Sequence, residues 1–233
     1  MKFSIDPAII ELFPEVKVGL LVVKGFDNQK NEEKTASSLR QTEEAIRGKY
    51  TLEELSTLPK VADWKEAYRK FGFKSSSHRS SVEALLRRIL QGKELPSINL
   101  LVDLYNLISV KHALPVGCDD LDQVDGNITL TIADGTENFI MLGAEKPEEI
   151  KKGEVIYRDD KEVLCRSWNY RECDKTKITE KTKNVCLVLE GLSHTSEEEI
   201  MRALSELRIL LSTYCQADFK GFFLHSGQLE AFF

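Results

Sequence analysis

Apolar positions repeat along this chain with two different periods, and the change falls near residue 119. Before it, Phe3 to Ile5 and the run Val16 to Lys24 (VKVGLLVVK) read as strands, the second nearly continuous in Val and Leu. Asp6-Pro7 between them predicts a short helix, since the fixed backbone angle of proline suits a first turn. Gly25-Phe-Asp-Asn follows as a loop. From Asn28 to Arg47 the chain is polar, with sparse apolar positions at Leu39 and Ile46. It predicts an exposed helix closed by Gly48. Thr51 with Glu54 has capping-box spacing and predicts a short helix to Leu58, stopped by Pro59. Trp64, Ala67, Tyr68 and Phe71 recur every three or four residues, so Val61 to Lys70 is expected to be a helix with an aromatic inner face. Ser80 with Glu83 opens another helix, Ser81 to Gln91, with Val82, Leu85, Leu86 and Ile89 inward.

The stretch Leu95 to Asp119 departs from this amphipathic pattern. Asn99, Asp103 and Asn106 interrupt an otherwise apolar run, and their spacing brings all three to one side of a helix. Such a helix is buried nearly all round, so its polar stripe must find partners. It is either a hydrogen-bonding brace or the wall of a site. Leu114-Pro-Val-Gly-Cys-Asp then reads as a turn held by that stripe.

After Asp119 the texture is that of short strands: Asn127 to Ala133, Asn138 to Leu142, Glu154 to Arg158, Glu162 to Arg166 and Asn184 to Glu190. Asp125-Gly126, Asp134-Gly135, Lys152-Gly153 and Asp159-Asp160 separate them as turns. Thr195 and Ser196, with Glu198 and Glu199 behind, cap a last helix from Glu197 to Cys215. The aromatic tail Phe219 to Phe233 is expected to pack down, because so large an exposed apolar patch is a liability. With no repeat, linker or low-complexity segment, the reading is one α+β domain over residues 1–233, a helical block packed on a mixed or antiparallel sheet.

Composition narrows the function classes. A hydrophobic content of 42% with 30% charged residues fits a soluble globular chain with an ordinary core. No apolar run reaches membrane-spanning length, and the N-terminus lacks signal-peptide character. Five cysteines without paired spacing point to reduced thiols in a cytoplasm, and no metal site or cofactor is expected. A net charge of −6 opposes indiscriminate nucleic-acid binding. Yet Lys65 to Lys93 carries eight Lys or Arg against two Glu, so that window is either a phosphate-binding patch or a solvated helix surface.

Several ordered motifs carry a family resemblance. Ile98-Asn-Leu-Leu-Val-Asp-Leu-Tyr-Asn-Leu-Ile followed by Leu114-Pro-Val-Gly-Cys-Asp resembles the B3/B4 domain of the phenylalanyl-tRNA synthetase β subunit. That family has an Ile-Asn-x-Val-Val-Asp-x-Thr-Asn-Tyr-Val helix and then a Pro-x-His-Ala-Phe-Asp turn. Gly153-Glu-Val-Ile-Tyr-x-Asp-Asp is similar to its Thr-Leu-Val-Ile-Ala-Asp strand. Cys165-Arg-Ser-Trp-Asn-Tyr-Arg and Thr182-Lys-Asn-Val resemble the free-standing B3/B4 proteins more than the synthetase. The resemblance spans Tyr68 to Leu192, with weaker similarity at Phe13-Pro14 and the strand after it. It implies an editing-type fold, which in the synthetase hydrolyses tyrosine wrongly esterified to the phenylalanine tRNA. No synthetase motif is present, so ligase activity is not expected.

Carried over position by position, the resemblance implies a site with three departures. Gly117 stands where the synthetase turn has histidine. Asp174, counted back from Thr182 without gaps, stands where the synthetase has glutamate. A Gly-rich segment has become the bulkier Trp168-Asn-Tyr-Arg-Glu-Cys, so a different substrate is implied. Asp174 is then the candidate catalytic carboxylate, orienting a water or holding an α-ammonium. Asn106, Gly117, Cys118, Trp168, Asn169, Tyr170, Arg171 and Thr176 are the candidate substrate contacts. Lys74, His78 and Arg79, in a Ser-rich loop, are the candidate RNA contacts. The implied partner is tRNA or aminoacyl-tRNA, and the implied reaction is hydrolysis of a mischarged ester in trans. The alternatives are a noncatalytic binder of RNA or of a free amino-acid-like ligand, and an oligomeric scaffold with a vestigial pocket. Plainer readings stand beside each residue. The Asn99–Asp103–Asn106 stripe is a brace, Cys118 a packed thiol, and Trp168 and Tyr170 are core on alternate faces of a strand. Arg171 with Glu172 and Asp174 is a surface ion pair.

Overall fold

Two β-sheets carry the fold, where the sequence predicts one sheet under a helical block. The computed structural model describes residues 1–28, 32–73 and 78–233. Ten strands and six α-helices run in the order β1 (Lys2–Ile5), α1 (Pro7–Leu12), β2 (Lys17–Lys24), α2 (Glu32–Lys49), α3 (Pro59–Lys70), α4 (Ser81–Leu90), α5 (Leu100–His112), β3 (Val116–Asp120), β4 (Ile128–Ile132), β5 (Val155–Arg158), β6 (Val163–Arg166), β7 (Arg171–Glu172), β8 (Val185–Gly191), α6 (Glu197–Ser212), β9 (Asp218–Leu224) and β10 (Glu230–Phe232). One sheet is six-stranded, in the order β10-β1-β4-β5-β6-β7, and mixed, because β1 and β4 are parallel. The other is four-stranded and antiparallel, in the order β3-β8-β2-β9. The fold is therefore α+β.

The near-continuous apolar runs of β2 and β8 are the central strands of the smaller sheet, buried on both faces as such runs require. Helix α6 lies so close on β2 that a Cβ on Gly19 would sit 2.5 Å from Ile200 and 2.7 Å from Leu204. A full capping box between Ser196 and Glu199 starts α6. Thr51 and Glu54 exchange hydrogen bonds as expected, but they open only a 3₁₀ turn, Glu54–Thr57. Pro59 does not stop a helix; it begins α3, where its missing N–H leaves no intrahelical bond unmade.

Four further expectations are corrected. Helix α2 is not exposed throughout: Thr35, Leu39, Glu43 and Ile46 are buried, and Glu43 accepts from the Leu95 N–H at 2.7 Å. At α4, Ser80 caps the Glu83 N–H, but the Glu83 carboxylate turns away to Arg87. Residues 138–142 are no strand; only Phe139 is buried there, and Met141 makes a single bridge to Cys173. The residues Leu114 to Asp119 are no turn either. The turn falls one residue earlier, at Ala113 with φ 53°, where the Ser109 hydroxyl donates to the Leu114 carbonyl at 2.7 Å. Val116 to Asp120 then runs as β3 along β8.

The polar stripe of α5 is a brace in two of its three members. Asn99 caps the helix by accepting from the Val102 N–H at 3.1 Å, and it also accepts from Asn28 at 3.2 Å. Asp103 accepts from the Ser97 hydroxyl at 2.6 Å and the Ile98 N–H at 2.8 Å. These bonds fix the entry of α5 and the loop after β2, whereas the 114–119 stretch is held by Ser109.

Candidate functional site

The turn between β6 and β7 shapes the site. Ser167 and Trp168 lie side by side in the left-handed region, at φ 48° and 66°, a conformation costing on the order of 1 kcal/mol or more per non-glycine residue. Glu154 holds it: one carboxylate oxygen accepts from the Ser167 N–H and hydroxyl, both at 2.8 Å, while Arg166 clamps the same carboxylate with two bonds at 3.1 Å. The fully buried Trp168 ring packs edge-on against Trp64 and Phe13, at 5.1 and 4.8 Å between centroids. The turn drives Trp168 and Asn169 from the larger sheet toward β8 of the smaller one.

There they meet Glu190, which is only 3% exposed. Its Oε1 accepts from the Tyr157 hydroxyl and the Trp168 indole N–H, both at 2.5 Å, and its Oε2 accepts from the Asn169 amide at 2.8 Å. The buried Tyr68 hydroxyl donates to Asn169 Oδ1 at 2.8 Å, which fixes the amide orientation. Burial pushes the Glu190 carboxyl up to about 7, against the pull of its three donors.

A small, partly open cavity lies beside this network, between the two sheets. Its other walls are Val116 to Asp119 on β3, Cys165 on β6, Glu172 on β7, Val188 on β8 and Ser81 at the start of α4. Its charged groups are Asp119, Glu172 and Glu190; among the described residues no Lys, Arg or His lines it. Asp119 accepts from the Thr176 hydroxyl at 2.6 Å, and burial holds its carboxyl above the ordinary range. Burial and the charge of Asp119 hold the Glu172 carboxyl well up too. Burial pushes the Cys118 and Cys165 thiols well up, so both stay protonated and weakly nucleophilic. The Ser81 hydroxyl oxygen is shielded from solvent and has no hydrogen-bond partner among the described residues.

Of the residues singled out from sequence, Gly117, Cys118, Trp168 and Asn169 line this cavity together. Thr176 stands behind it, holding Asp119. Tyr170 and Arg171 follow Asn169 on the outer side: the Arg171 guanidinium lies 4.5 Å over the Tyr170 ring, and the His78 ring stands 4.8 Å away. The Arg79 guanidinium is 3.9 Å from Glu83. Lys74 lies outside the described residues. Asn106 is half-buried on α5 and not among the cavity residues. Asp174 is not brought to the cavity. It accepts from the Gly143 N–H at 2.9 Å and pairs with Lys177 at 2.9 Å, and that lysine holds its carboxyl below the ordinary range. Trp168 is core, but in a turn rather than on a strand face.

Sequence reasoning missed Ser81, Asp119, Tyr157, Cys165, Glu172 and Glu190. One signal was present: a glutamate closing the apolar run Val185 to Leu189 is a buried carboxylate unless the strand ends before it.

Comparison with known proteins agrees with the motifs. Residues 63–215 match the B3/4 domain family. The phenylalanine–tRNA ligase beta subunit of Fusobacterium nucleatum is 28% identical over 164 residues, covering 68% of this chain and 20% of that protein. The beta subunit from Mycoplasma genitalium is 32% identical over 80 residues, 34% of this chain and 10% of that protein. The chain thus spans a fifth or less of these curated relatives. Among solved structures, an N-terminal fragment of the phenylalanyl-tRNA synthetase beta subunit from Pyrococcus horikoshii is similar at 16% identity, with a TM-score of 0.49. It covers 96% of this chain and 53% of that chain.

Proposed function

The chain belongs to the B3/4 domain family, and from that premise we propose that it is an aminoacyl-tRNA deacylase, clearing a mischarged tRNA in trans. One observation carries the reading: the cavity is walled by residues of 116–119, in the stretch that resembles the synthetase B3/B4 domain, and of 165–172, in and just after the stretch that resembles free-standing B3/B4 proteins. The aminoacyl group enters between β3 and the Trp168–Asn169 turn, and the nucleotide end stays outside, where His78, Arg79, Tyr170 and Arg171 offer ring faces and positive charge. Five unpaired cysteines support a cytoplasmic location.

The chemistry asks for little. A water oxygen bonds to the ester carbonyl carbon, the bond to the ribose oxygen breaks, and the water proton passes to that oxygen. The products are free amino acid and uncharged tRNA. Ser81, at the N-terminal end of α4, donates its hydroxyl, which has no partner among the described residues, to the carbonyl oxygen as negative charge builds there. The ribose hydroxyl beside the ester relays that proton, accepting it from the water as it gives its own to the leaving oxygen, since no histidine lines the cavity among the described residues. The role first given to Asp174 passes to Glu172, which faces the cavity.

The lack of a histidine wall favours a second reading, a noncatalytic binder of the same ligand. One assay separates them: purified protein is incubated with tRNAs mischarged with each proteinogenic amino acid. Release from at least one, lost in Ser81→Ala, supports the deacylase. Retention of every ester with measurable tRNA binding supports the binder.

A further inference from the structure

We propose that this cavity selects a ligand with a free ammonium and no free carboxylate, anchored by Glu172, so that it accepts the esterified amino acid and refuses the free one. The inference rests on the deacylase reading of the same cavity and names the chemistry of its ligand.

Three carboxylates wall the cavity and no described cation answers them. Two already have conventional donors: Glu190 holds three, and Asp119 holds the Thr176 hydroxyl on one oxygen. Glu172 differs. The one side-chain donor beside its carboxylate among the described residues is the Cys165 thiol, a weak one. A half-buried carboxylate facing a cavity with no stronger donor than a thiol asks for a cation from the ligand.

The start of α4, also in the cavity lining, supplies an independent sign of a ligand. The Ser81 hydroxyl is shielded and has no partner among the described residues, although a buried hydroxyl ordinarily finds a hydrogen bond. A neutral carbonyl satisfies it. Ammonium at Glu172 and carbonyl at Ser81 together describe an aminoacyl ester. Gly117 keeps the approach open, since a Cβ there would already stand 3.4 Å from Glu172 Oε1. A larger side chain would stand between the carboxylate and its cation.

Charge then distinguishes substrate from product. An aminoacyl ester is a cation, and the cavity attracts it. Hydrolysis creates a carboxylate next to the ammonium, among three acidic groups and with no described cation to meet it. The product is expelled, and free amino acids of the surroundings do not block the site.

The test measures binding to the intact chain by calorimetry and tryptophan fluorescence. The probes are the methyl esters of the proteinogenic amino acids, the matching free acids and the N-acetyl methyl esters. At least one methyl ester should bind, with its free acid and its N-acetyl form weaker by at least about tenfold. Glu172→Gln should erase that preference. Equal binding of ester and free acid, equal binding of the N-acetyl ester, or no ester binding at all overturns the proposal without any variant. Parallel deacylation separates the two readings. Turnover indifferent to N-acetylation of the aminoacyl group sinks the ammonium anchor and leaves the deacylase. Selective ester binding without turnover sinks the deacylase and leaves the anchor.

Discussion

The indole N–H of Trp168 donates to Glu190 Oε1 at 2.5 Å, joining the β6–β7 turn of the larger sheet to β8 of the smaller one. Trp168→Phe removes that donor together with the pyrrole part of the fully buried indole. The carboxylate keeps Tyr157 and Asn169, so the variant should fold and lose about 2–5 kcal/mol, from the buried bond and from the space the smaller ring leaves. Urea unfolding of the two proteins at neutral pH measures it, and an unchanged midpoint would mean the indole bond contributes nothing.

Glu190 also sets a pH dependence. Its carboxyl titrates at about 7 in the fold against an ordinary 4.5. Between those values the unfolded chain has lost the proton and the folded chain keeps it, so stability falls as pH rises through the window. The loss attributable to this group is on the order of 3 kcal/mol. Glu190→Gln removes the titration, so its unfolding free energy should be flatter than that of the unsubstituted protein from about pH 4.5 to about pH 7. Parallel curves would place the titration elsewhere.

The core of the site was hidden in the sequence for reasons these residues show. Helix starts were legible where Ser80 and Ser196 stand three residues before a glutamate and where Pro7 opens a first turn, whereas Asn99 reads as part of the α5 stripe and proves to be its cap. Strands β2 and β8 were legible as unbroken apolar runs. The 167–168 turn was not, because its left-handed residues are Ser and Trp rather than Gly or Asn, and Glu154, more than ten positions away, enforces it. Glu172 and Asp174 are two apart, which on a longer strand gives them one face. Strand β7 ends at Glu172, and Asp174 turns out to Gly143 and Lys177. A count along the chain cannot see that ending.

That remote hold on the turn is itself testable. Glu154 is fully buried and meets the Ser167 N–H, the Ser167 hydroxyl and two Arg166 nitrogens. Glu154→Gln leaves Arg166 with the Glu148 carboxylate at 2.7 Å but without its buried partner. Breaking such a pair costs about 3–5 kcal/mol. Thermal unfolding should show that loss, and tryptophan emission should move to longer wavelength as Trp168 gains solvent. A large loss with unshifted emission would show that the turn survives without Glu154.

Proton release offers the sharpest reading of Glu172. Its carboxyl faces Cys118 and Asp119 from β3, Cys165 from β6, Glu190 from β8 and Tyr105 from α5. Burial and the charge of Asp119 push it up to about 8, so before a ligand arrives it still carries its proton at neutral pH. An arriving ammonium stabilises the ionised form and drives that proton off. The α-ammonium of the ligand keeps its own proton until roughly pH 7.7. Affinity for an amino-acid methyl ester should therefore rise from about pH 5 to about pH 7, with about one proton released per ligand bound. Calorimetry in buffers of different ionisation enthalpy counts that proton. In Glu172→Gln the count should fall to zero and the affinity should stay flat across the same range. A proton count that survives the substitution would assign the released proton to Asp119 or Glu190 and remove Glu172 from the ligand.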